Sequence, residues 1–478
     1  MSVKKNFFYQ MIYEVFVIVL PFITSPYLAR VIGAAGVGEY SYYYSIAFYF
    51  VLFAMLGIKN YGNREIAKVR DDCELKDKLF SEILFVHLIV SFFVSLVYIL
   101  YIIFISKEKF FAFTQLFFVL SAAADISWFY FGIEQFKTTV IRSTIIRVIN
   151  VVLIFIFVRN ADDTWKYCLI MSASTFISQL VLWIPIKKYV TFKKPNLKNM
   201  IRHIKPLIIL FLPAIAVSLY KYMDKIMIGN LSNKTELGYY ANAEKVLNIP
   251  LTIVGTFGTV MLPKMSNLVG TKNEKKSSRY IKLSVQMIMC LSFALAYGIS
   301  SVATLFSVIF WGDEFKPCGT IISFLAITLP FVTFANILRT QFMIPNRMDV
   351  QYTVSVFVGA ILNIIINLLL IPEYGAKGAV VGTIIAEIAV FIAHCLSVRK
   401  QLPIVKYFLY CIFYIVSGAI MWTVVSSFGN NIEHRLLQFL LKTLLGGSIY
   451  IVLNLVYFYI SKNEIFMQML SKSKRRKV

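Results

Sequence analysis

The chain has 478 residues, of which 59% are hydrophobic and only 15% are charged, and its mean hydropathy is +0.73. A soluble domain carries about 25% charged residues, so this composition excludes a soluble enzyme or binding module and predicts an integral membrane protein. The formal net charge of +24 does not indicate nucleic acid binding, because the basic residues are concentrated in alternate loops between apolar segments.

A bilayer core about 30 Å thick needs about 20 apolar residues per helix, and about fourteen runs of this length follow one another along the chain. Almost no run alternates with the two-residue period of a membrane β-strand, so we predict an all-α protein. In chain order, the predicted helices span residues 7–28, 39–58, 79–105, 110–131, 139–158, 165–186, 205–228, 237–261, 283–310, 320–344, 352–371, 376–398, 404–427 and 437–460.

The first apolar run follows Lys4 and Lys5, as the apolar region of a secretory signal peptide would. It is longer than that region usually is, contains Glu14, and ends at the segment YLARVIG rather than at a small-residue cleavage site. We therefore predict that it is retained as the first membrane helix.

Lysine and arginine are crowded into alternate loops, as in segments 59–78, 187–205 and 264–282, at Lys137 and Arg142, and in the tail KSKRRKV, whereas the intervening loops hold only one or two each. This asymmetry follows the positive-inside rule and predicts that both termini are cytoplasmic. The basic tail is interpreted as an anchor beside anionic lipid rather than as a nucleic acid site.

Two pairs of similar segments indicate an internal repeat. The segment RVIGAAGVGEYSYYYS at 30–45 resembles KIMIGNLSNKTELGYYANA at 225–243, and ADISWFYFGI at 124–133 resembles ANILRTQFMI at 335–344. Each member of the first pair predicts a helix, a small polar loop after Ile-Gly, and a second helix that opens with glycine and tyrosines.

The repeat predicts two six-helix bundles followed by two further helices. Because six is an even number, the two bundles have the same orientation, which makes this a parallel repeat about an axis along the membrane normal. The predicted divisions are 1–203 for the first bundle, 204–400 for the second, and 401–478 for two additional helices and the basic cytoplasmic tail.

The sequence contains no recognisable catalytic or metal-binding motif. Its six cysteines and four histidines are dispersed, and neither a C-x-x-C nor an H-E-x-x-H pattern occurs. The predicted loops on the outer face are too short for a catalytic domain. We therefore expect no metal, no cofactor and no enzymatic activity.

Charged residues at membrane depth are the candidates for function, because each costs at least about 2.5 to 3.5 kcal/mol to insert and must face a cavity or a partner. Lys221, Asp224 and Lys225 share one broad face of the seventh predicted helix. One interpretation is an ion pair near the helix end, with Lys225 extending to water. The other is a polar cavity.

Further cations at membrane depth favour the cavity. Arg147, Lys245 and Arg339 lie on three other predicted helices, and basic residues outnumber the acid on the Lys221 face. A surplus of buried positive charge requires an anion, and phosphate or pyrophosphate would be held by charge-assisted hydrogen bonds. Asn150, one turn after Arg147, fits either a bond between helices or a contact with a sugar.

Three segments carry a family resemblance: PYLARVIGAAGVGEYSY from residue 26, DISWFYFGIEQFK at 125–137 and YMDKIMIG at 222–229. They resemble the bacterial polysaccharide flippases of the Wzx or O-antigen transporter type, which belong to the multidrug/oligosaccharidyl-lipid/polysaccharide exporter superfamily. The resemblance runs over nearly the whole chain, in order with the predicted helices.

This resemblance implies two bundles around a central cavity and translocation by alternating access in the bacterial cytoplasmic (inner) membrane. The implied substrate is an oligosaccharide linked through pyrophosphate to undecaprenol, moved from the cytoplasmic to the outer leaflet for O-antigen, capsule or exopolysaccharide assembly. Membrane lipid and the polysaccharide polymerase machinery are the implied partners. By the same resemblance, Arg30 and Asp224 are expected to serve the site.

Two other functions fit parts of the pattern. A cation-coupled multidrug antiporter of the same fold would need an acidic cavity, but the predicted cavity is cationic. A membrane glycan polymerase would need a large outer loop, which is not predicted. Glu14 and Asp224 are expected either to couple transport to H+ or Na+ or to pair with buried cations.

Overall fold

The computed structural model describes the backbone of residues 3–462 and 466, and the side chains of residues 20–462 and 466 except 197, 213, 216, 220 and 221. Within these residues the secondary structure is helical and contains no β-strand, which confirms the all-α prediction. The chain forms two compact units, Met1–Gly238 and Tyr239–Val478. The predicted divisions at 203/204 and 400/401 stay predictions.

Among the described residues, nine α-helices precede the unit boundary and a tenth crosses it. They are α1 (Val3–Met55), α2 (Ile58–Lys68), α3 (Cys73–Phe104), α4 (Lys109–Thr114), α5 (Leu116–Ala124), α6 (Ser127–Gly132), α7 (Phe136–Phe157), α8 (Thr164–Val181), α9 (Leu197–Leu231) and α10 (Lys234–Gly270). The remaining helices are α11 (Glu274–Trp311), α12 (Lys316–Ala326), α13 (Thr328–Leu338), α14 (Asp349–Tyr374), α15 (Ala376–Val398), α16 (Ile404–Ser427) and α17 (Arg435–Ile460).

Twelve segments of the described residues are long and apolar enough to cross a membrane. They correspond to the predicted helices except those at 7–28 and 205–228. The side chains of residues 1–19 and several side chains of α9 lie outside the described part of the chain. A multi-pass membrane protein is therefore established, and the count of fourteen crossings stays a prediction.

The first two predicted helices are two arms of one long helix, α1. Gly33 interrupts α1 with φ 65° and ψ −176°, a conformation that glycine adopts without steric cost. The small polar loop predicted after Ile32-Gly33 is therefore wrong, because the chain changes direction within this one residue. The second arm begins at once and carries the tyrosines at 40 and 42–44.

The two segments of the first predicted repeat pack directly on each other. A Cβ placed on Gly38 would lie 1.7 Å from the carbonyl oxygen of Lys234, and a Cβ on Gly238 would lie 1.9 Å from that of Ala34. Each glycine precedes the tyrosines of its own segment. Only residues without a side chain allow the backbones to approach this closely.

The motif SWFYFG forms α6 and lies in a core of the first unit. Trp128, Phe129 and Tyr130 are fully buried, and the Tyr130 hydroxyl donates to the carbonyl oxygen of Leu182 at 2.7 Å. Gly62 of α2 faces Trp128 so closely that an added Cβ would lie 2.4 Å from the indole ring. The motif therefore fixes α2 against α6 and positions the residues on either side of it.

Candidate functional site

A cavity of 740 Å³ lies inside the first unit, between α1, α2, α5, α6, α7 and α8. Its walls carry the basic side chains of Lys59, Arg142 and Arg147 and the single acidic side chain of Asp125. Three positive charges against one negative charge leave a surplus of two in the lining. A small anionic group is the ligand that such a lining would favour.

Arg142 is held against α8 by hydrogen bonds. Its Nη1 donates to the carbonyl oxygen of Ser178 at 3.0 Å and to Oε1 of Gln179 at 2.7 Å, and its Nη2 donates to Oγ of Ser143 at 2.9 Å. These bonds fix the orientation of the guanidinium group on the cavity wall. A preorganised guanidinium group loses little entropy when it binds a phosphate.

Arg147 extends the basic surface along α7. It is half-buried and lies five residues after Arg142, about 7.5 Å further along the helix axis. Asn150 follows one turn later and also lines the cavity. On α2, the exposed Lys59 and the half-buried Asn63 are likewise one turn apart. The cavity therefore has cationic groups on two facing elements.

Asp125 has a structural role in the same wall. Its Oδ1 accepts a hydrogen bond from the backbone N–H of Ser127 at 2.8 Å, at the start of α6. The carboxylate thus satisfies one of the unpaired amide groups at a helix N-terminus. This role accounts for an acidic residue in an otherwise cationic cavity.

Two amide side chains of the cavity lining each hold a buried polar atom that lacks a hydrogen-bond partner. Gln115 is 1% exposed, and its Nε2 has no hydrogen-bond partner among the described residues. Oδ1 of Asn150 is likewise buried and lacks a partner within that part of the chain. Buried polar atoms are nearly always paired, so this unpaired donor and acceptor mark a part of the wall where a polar partner is missing.

Aromatic rings close one part of the cavity. Tyr44 stacks on Tyr40 with ring centroids 5.6 Å apart and on Phe118 at 5.0 Å. Tyr222 of α9 lies behind this layer, 6.3 Å from the Tyr44 ring, and Nζ of Lys225 lies 5.2 Å from the Tyr222 ring. Lys225 is therefore connected to the cavity wall through Tyr222, although it does not line the cavity.

The predicted site residues of the first unit are in different places. Arg147 lines the cavity, whereas Arg30 is exposed on α1 and outside the lining. Asp224 is 2% exposed on α9. The side chains of Glu14 and Lys221 lie outside the described residues, so the roles expected of them stay predictions.

The predicted cations of the second unit are engaged with neighbouring side chains. Nζ of Lys245 donates to Oδ1 of Asn242 at 2.8 Å. Nη1 of Arg339 donates to the Tyr352 hydroxyl at 3.3 Å, and Arg339 begins a π-helical turn that extends to Met343. A role for Lys245 and Arg339 in binding stays a prediction.

A second cavity, of 910 Å³, lies within the second unit and is apolar. Aromatic and aliphatic side chains line it, among them Phe331, Phe334, Phe391, Phe408 and Ile412. Phe408 and Ile412 are 40% and 53% exposed, so the cavity is open at its side. Its chemistry suits a hydrocarbon chain.

Sequence reasoning missed three residues of the polar cavity. Lys59 and Arg142 were counted with the basic loops, but they lie on α2 and α7 with their side chains in the cavity lining. Gln115 was not identified, because a single amide between apolar residues has no distinctive spacing. The only available signal was the i, i+4 pair of Lys59 and Asn63 on one helix face.

Metal binding is not supported within the described residues, since no group of three His, Cys, Asp or Glu side chains there could hold an ion. Cations, amides and aromatic rings supply the chemistry of the candidate site.

Comparison with known proteins places the chain in a family. It is 23% identical over 375 residues to a putative O-antigen transporter of Shigella dysenteriae, covering 77% of this chain and 93% of the relative. It is 25% identical over 414 residues to the capsular polysaccharide biosynthesis protein CapF of Staphylococcus aureus, covering 82% and 98%.

A solved structure of the lipid II flippase MurJ, in an inward closed conformation, has the same fold. It aligns with a TM-score of 0.74 at 17% identity, covering 95% of this chain and 99% of MurJ. The sequence profile of the polysaccharide biosynthesis proteins matches residues 3–269, which is more than half of the chain. The chain therefore belongs to the polysaccharide biosynthesis protein family.

Proposed function

We propose that this protein is a flippase for undecaprenyl-pyrophosphate-linked oligosaccharides, moving them from the cytoplasmic to the outer leaflet by alternating access. The observation that carries this proposal is the cationic cavity of the first unit, enclosed in an apolar helical protein of a polysaccharide biosynthesis family. The glycan would then be used to assemble O-antigen, capsule or exopolysaccharide. Relatives named as an O-antigen transporter and a capsular polysaccharide biosynthesis protein support this use.

The pyrophosphate is assigned to the basic wall of the cavity. Arg142 is already oriented by Ser178 and Gln179, and Arg147 lies one and a half turns further along α7. Guanidinium groups bind phosphate oxygens through paired hydrogen bonds, and Lys59 adds a mobile positive charge. A dianionic pyrophosphate would in turn neutralise the surplus of two charges in the lining.

The sugar next to the pyrophosphate is assigned to the amide and aromatic part. The buried, unpaired Nε2 of Gln115 and Oδ1 of Asn150 would bond the acceptor and donor groups of a sugar once their side chains turn toward it. Tyr40 and Tyr44 add apolar ring surface on the same wall.

Taken by itself, the apolar cavity of the second unit has room for several isoprene units and suits a polyprenyl chain, which would stay in apolar surroundings there. Phe408 and Ile412 at the open side would allow it to enter from the lipid.

Several sequence-based expectations belong to this proposal. The protein lies in the inner membrane with both termini in the cytoplasm. H+ or Na+ drives transport. The polysaccharide polymerase machinery is a partner. Arg30, Lys221, Lys225, Lys245 and Arg339 assist the substrate, and Glu14 and Asp224 serve ion coupling or charge pairing. If Glu14→Gln transports normally across a pH and sodium series, Glu14 has no coupling role.

The multidrug antiporter is the less favoured alternative, because Asp125 is the single acidic residue in a lining with three basic residues. Deleting the gene separates the two functions. The flippase should leave a lipid-linked oligosaccharide trapped in the cytoplasmic leaflet, and wild-type protein should release it, whereas an Arg142→Ala, Arg147→Ala double variant should not. Normal surface glycan without accumulation in the deletion strain would refute the proposal.

A further inference from the structure

A buried hydrogen-bonded cluster joins α2, α3 and α9, away from the cavity. Nδ1 of His203 lies 2.6 Å from the Tyr61 hydroxyl, and Nε2 of His203 lies 3.4 Å from Oε2 of Glu82. Nδ2 of Asn199, one turn before His203 on α9, donates to Oε1 of Glu82 at 2.9 Å. Tyr61, Glu82 and His203 are 5%, 5% and 7% exposed.

In the described part of the chain the close ion-pair partner of the Glu82 carboxylate is His203, at 3.4 Å. An isolated buried carboxylate is strongly unfavourable, so this arrangement is stable when the pair holds one proton. The two residues share this proton, which can be bound to the imidazole ring or to the carboxyl group. Loss of the proton would leave an uncompensated negative charge between three helices.

Tyr61 allows the proton to leave without the loss of a hydrogen bond. When His203 is protonated, Nδ1–H donates to the Tyr61 oxygen, and when it is neutral, the Tyr61 hydroxyl donates to Nδ1. Nε2–H faces Glu82 in both states. The cluster can therefore exchange one proton by turning a single hydroxyl group.

We propose that Glu82 and His203 form a proton-binding site that couples translocation to a proton gradient, an inference that rests on the proposed flippase function. The proton is bound while α9 lies against α2 and α3, and it is released when α9 moves away and water reaches Glu82. An imidazole nitrogen accepts a proton near neutral pH, whereas Na+ needs several oxygen ligands. The site therefore selects H+.

Helix α9 connects this site with the cavity. It is continuous from Leu197 to Leu231, so His203 and Tyr222 are separated by about 28 Å of helix. Tyr222 stacks on Phe48 with ring centroids 3.8 Å apart and lies 6.3 Å from Tyr44, which lines the cavity. A substrate that displaces Tyr44 would act on Tyr222 and thus on the position of α9.

Other titratable groups near the cluster are already engaged. On α2, Nε of Arg64 pairs with Oε1 of Glu65 at 2.9 Å, and the Arg64 guanidinium lies 5.8 Å from the Tyr61 ring. The other buried histidine of the first unit is His87, which lies on α3 five residues after Glu82 and is fully buried. His87 provides a matched control, because its removal deletes a buried imidazole without touching the Glu82 cluster.

The site can be tested without a ligand by measuring the position of α9. Fluorescent dyes on Lys137→Cys and Arg202→Cys, both exposed in the native protein, would report the α7 to α9 distance by single-molecule energy transfer after replacement of the six native cysteines. The fraction of molecules with α9 displaced should rise as the pH is raised from about 5 to about 9, because imidazole groups exchange protons near neutral pH.

The Glu82→Gln, His203→Gln double variant should lose this pH response, because the pair no longer contains a titratable group. The control variant His87→Gln should keep the response. Asn199→Asp, which adds a carboxylate without removing the pair, should shift the response to higher pH. A wild-type distance that does not change with pH, a full response in the double variant, or loss of the response in His87→Gln would each overturn the proposal.

A transport assay distinguishes a failure of the proton site from a failure of the proposed flippase function on which it rests. In proteoliposomes, a pH gradient should accelerate the movement of a lipid pyrophosphate by the wild type but not by the Glu82→Gln, His203→Gln double variant. The wild type and the double variant should bind farnesyl pyrophosphate equally. If no variant moves a lipid pyrophosphate but the pH response of α9 remains, the flippase function fails and the proton site stands. Equal acceleration of both proteins would overturn the coupling.

Discussion

Replacing Arg147 by alanine is the sharpest test of the cavity. Arg147 lines the 740 Å³ cavity from α7, whereas the nearby Arg142 is held by Ser178 and Gln179. Each charge-assisted hydrogen bond contributes about 1.5 to 3 kcal/mol. Loss of one such bond should weaken the binding of farnesyl pyrophosphate by about 10- to 150-fold. Arg147→Lys should recover part of the affinity, because the charge returns without the planar fork.

The assay is calorimetric titration of the purified protein with farnesyl pyrophosphate, with farnesol as the ligand that lacks the anion. Arg435→Ala is the matched control, because this exposed arginine pairs with Asp313 at 2.9 Å far along the chain. It should leave the affinity unchanged, and farnesol binding should be the same in all variants. Unchanged pyrophosphate affinity in Arg147→Ala, or an equal loss for farnesol, would refute the assignment of this wall.

Three further predictions concern stability and topology. Gly62→Ala should lower the free energy of unfolding by about 1 to 3 kcal/mol, because its Cβ would overlap the Trp128 ring. Gly447→Ala on α17 should not destabilise the protein, since nothing lies within 4 Å of the added Cβ. Thermal unfolding in detergent measures both variants, and equal midpoints would contradict the packing argument. Asp224→Ala should reduce the amount of protein in the membrane fraction, because it removes a buried carboxylate from a helix face that carries lysines, and an unchanged amount would count against a pairing role. A periplasm-dependent reporter fused after Lys472 should be inactive, as the positive-inside rule requires, and an active fusion would reverse the predicted topology.

The fold class was predictable from the sequence because hydropathy acts over whole segments. Runs of about 20 apolar residues determined the helices, and the Gly-Tyr segments at 30–45 and 225–243 pointed to a repeat whose glycines pack on each other. The break at Gly33 was not predictable, because a loop and a one-residue kink after Ile-Gly have the same composition. Only the backbone angles distinguish them.

The site was less predictable, because a cavity is a tertiary feature. Charge at membrane depth drew attention to Arg147, which lines the cavity, whereas Lys59 and Arg142 near the helix ends looked like topology signals. Gln115 gave no signal, since its importance comes from a buried, unpaired amide atom in a wall built by six helices. The pairing of Glu82 with His203 joins residues 121 positions apart, beyond the reach of any local pattern.

The central claim is that the protein moves a pyrophosphate-linked glycan lipid across a bilayer, and reconstitution measures this directly. Purified protein would be placed in liposomes with the lipid-linked oligosaccharide isolated from the deletion strain, and an added glycosidase would report the fraction of glycan exposed outside. We predict that the protein exposes the inner-leaflet glycan over time and that the Arg142→Ala, Arg147→Ala variant does so far more slowly. Exposure at the same rate in protein-free liposomes, or at the same rate by the wild type and the variant, would contradict the account.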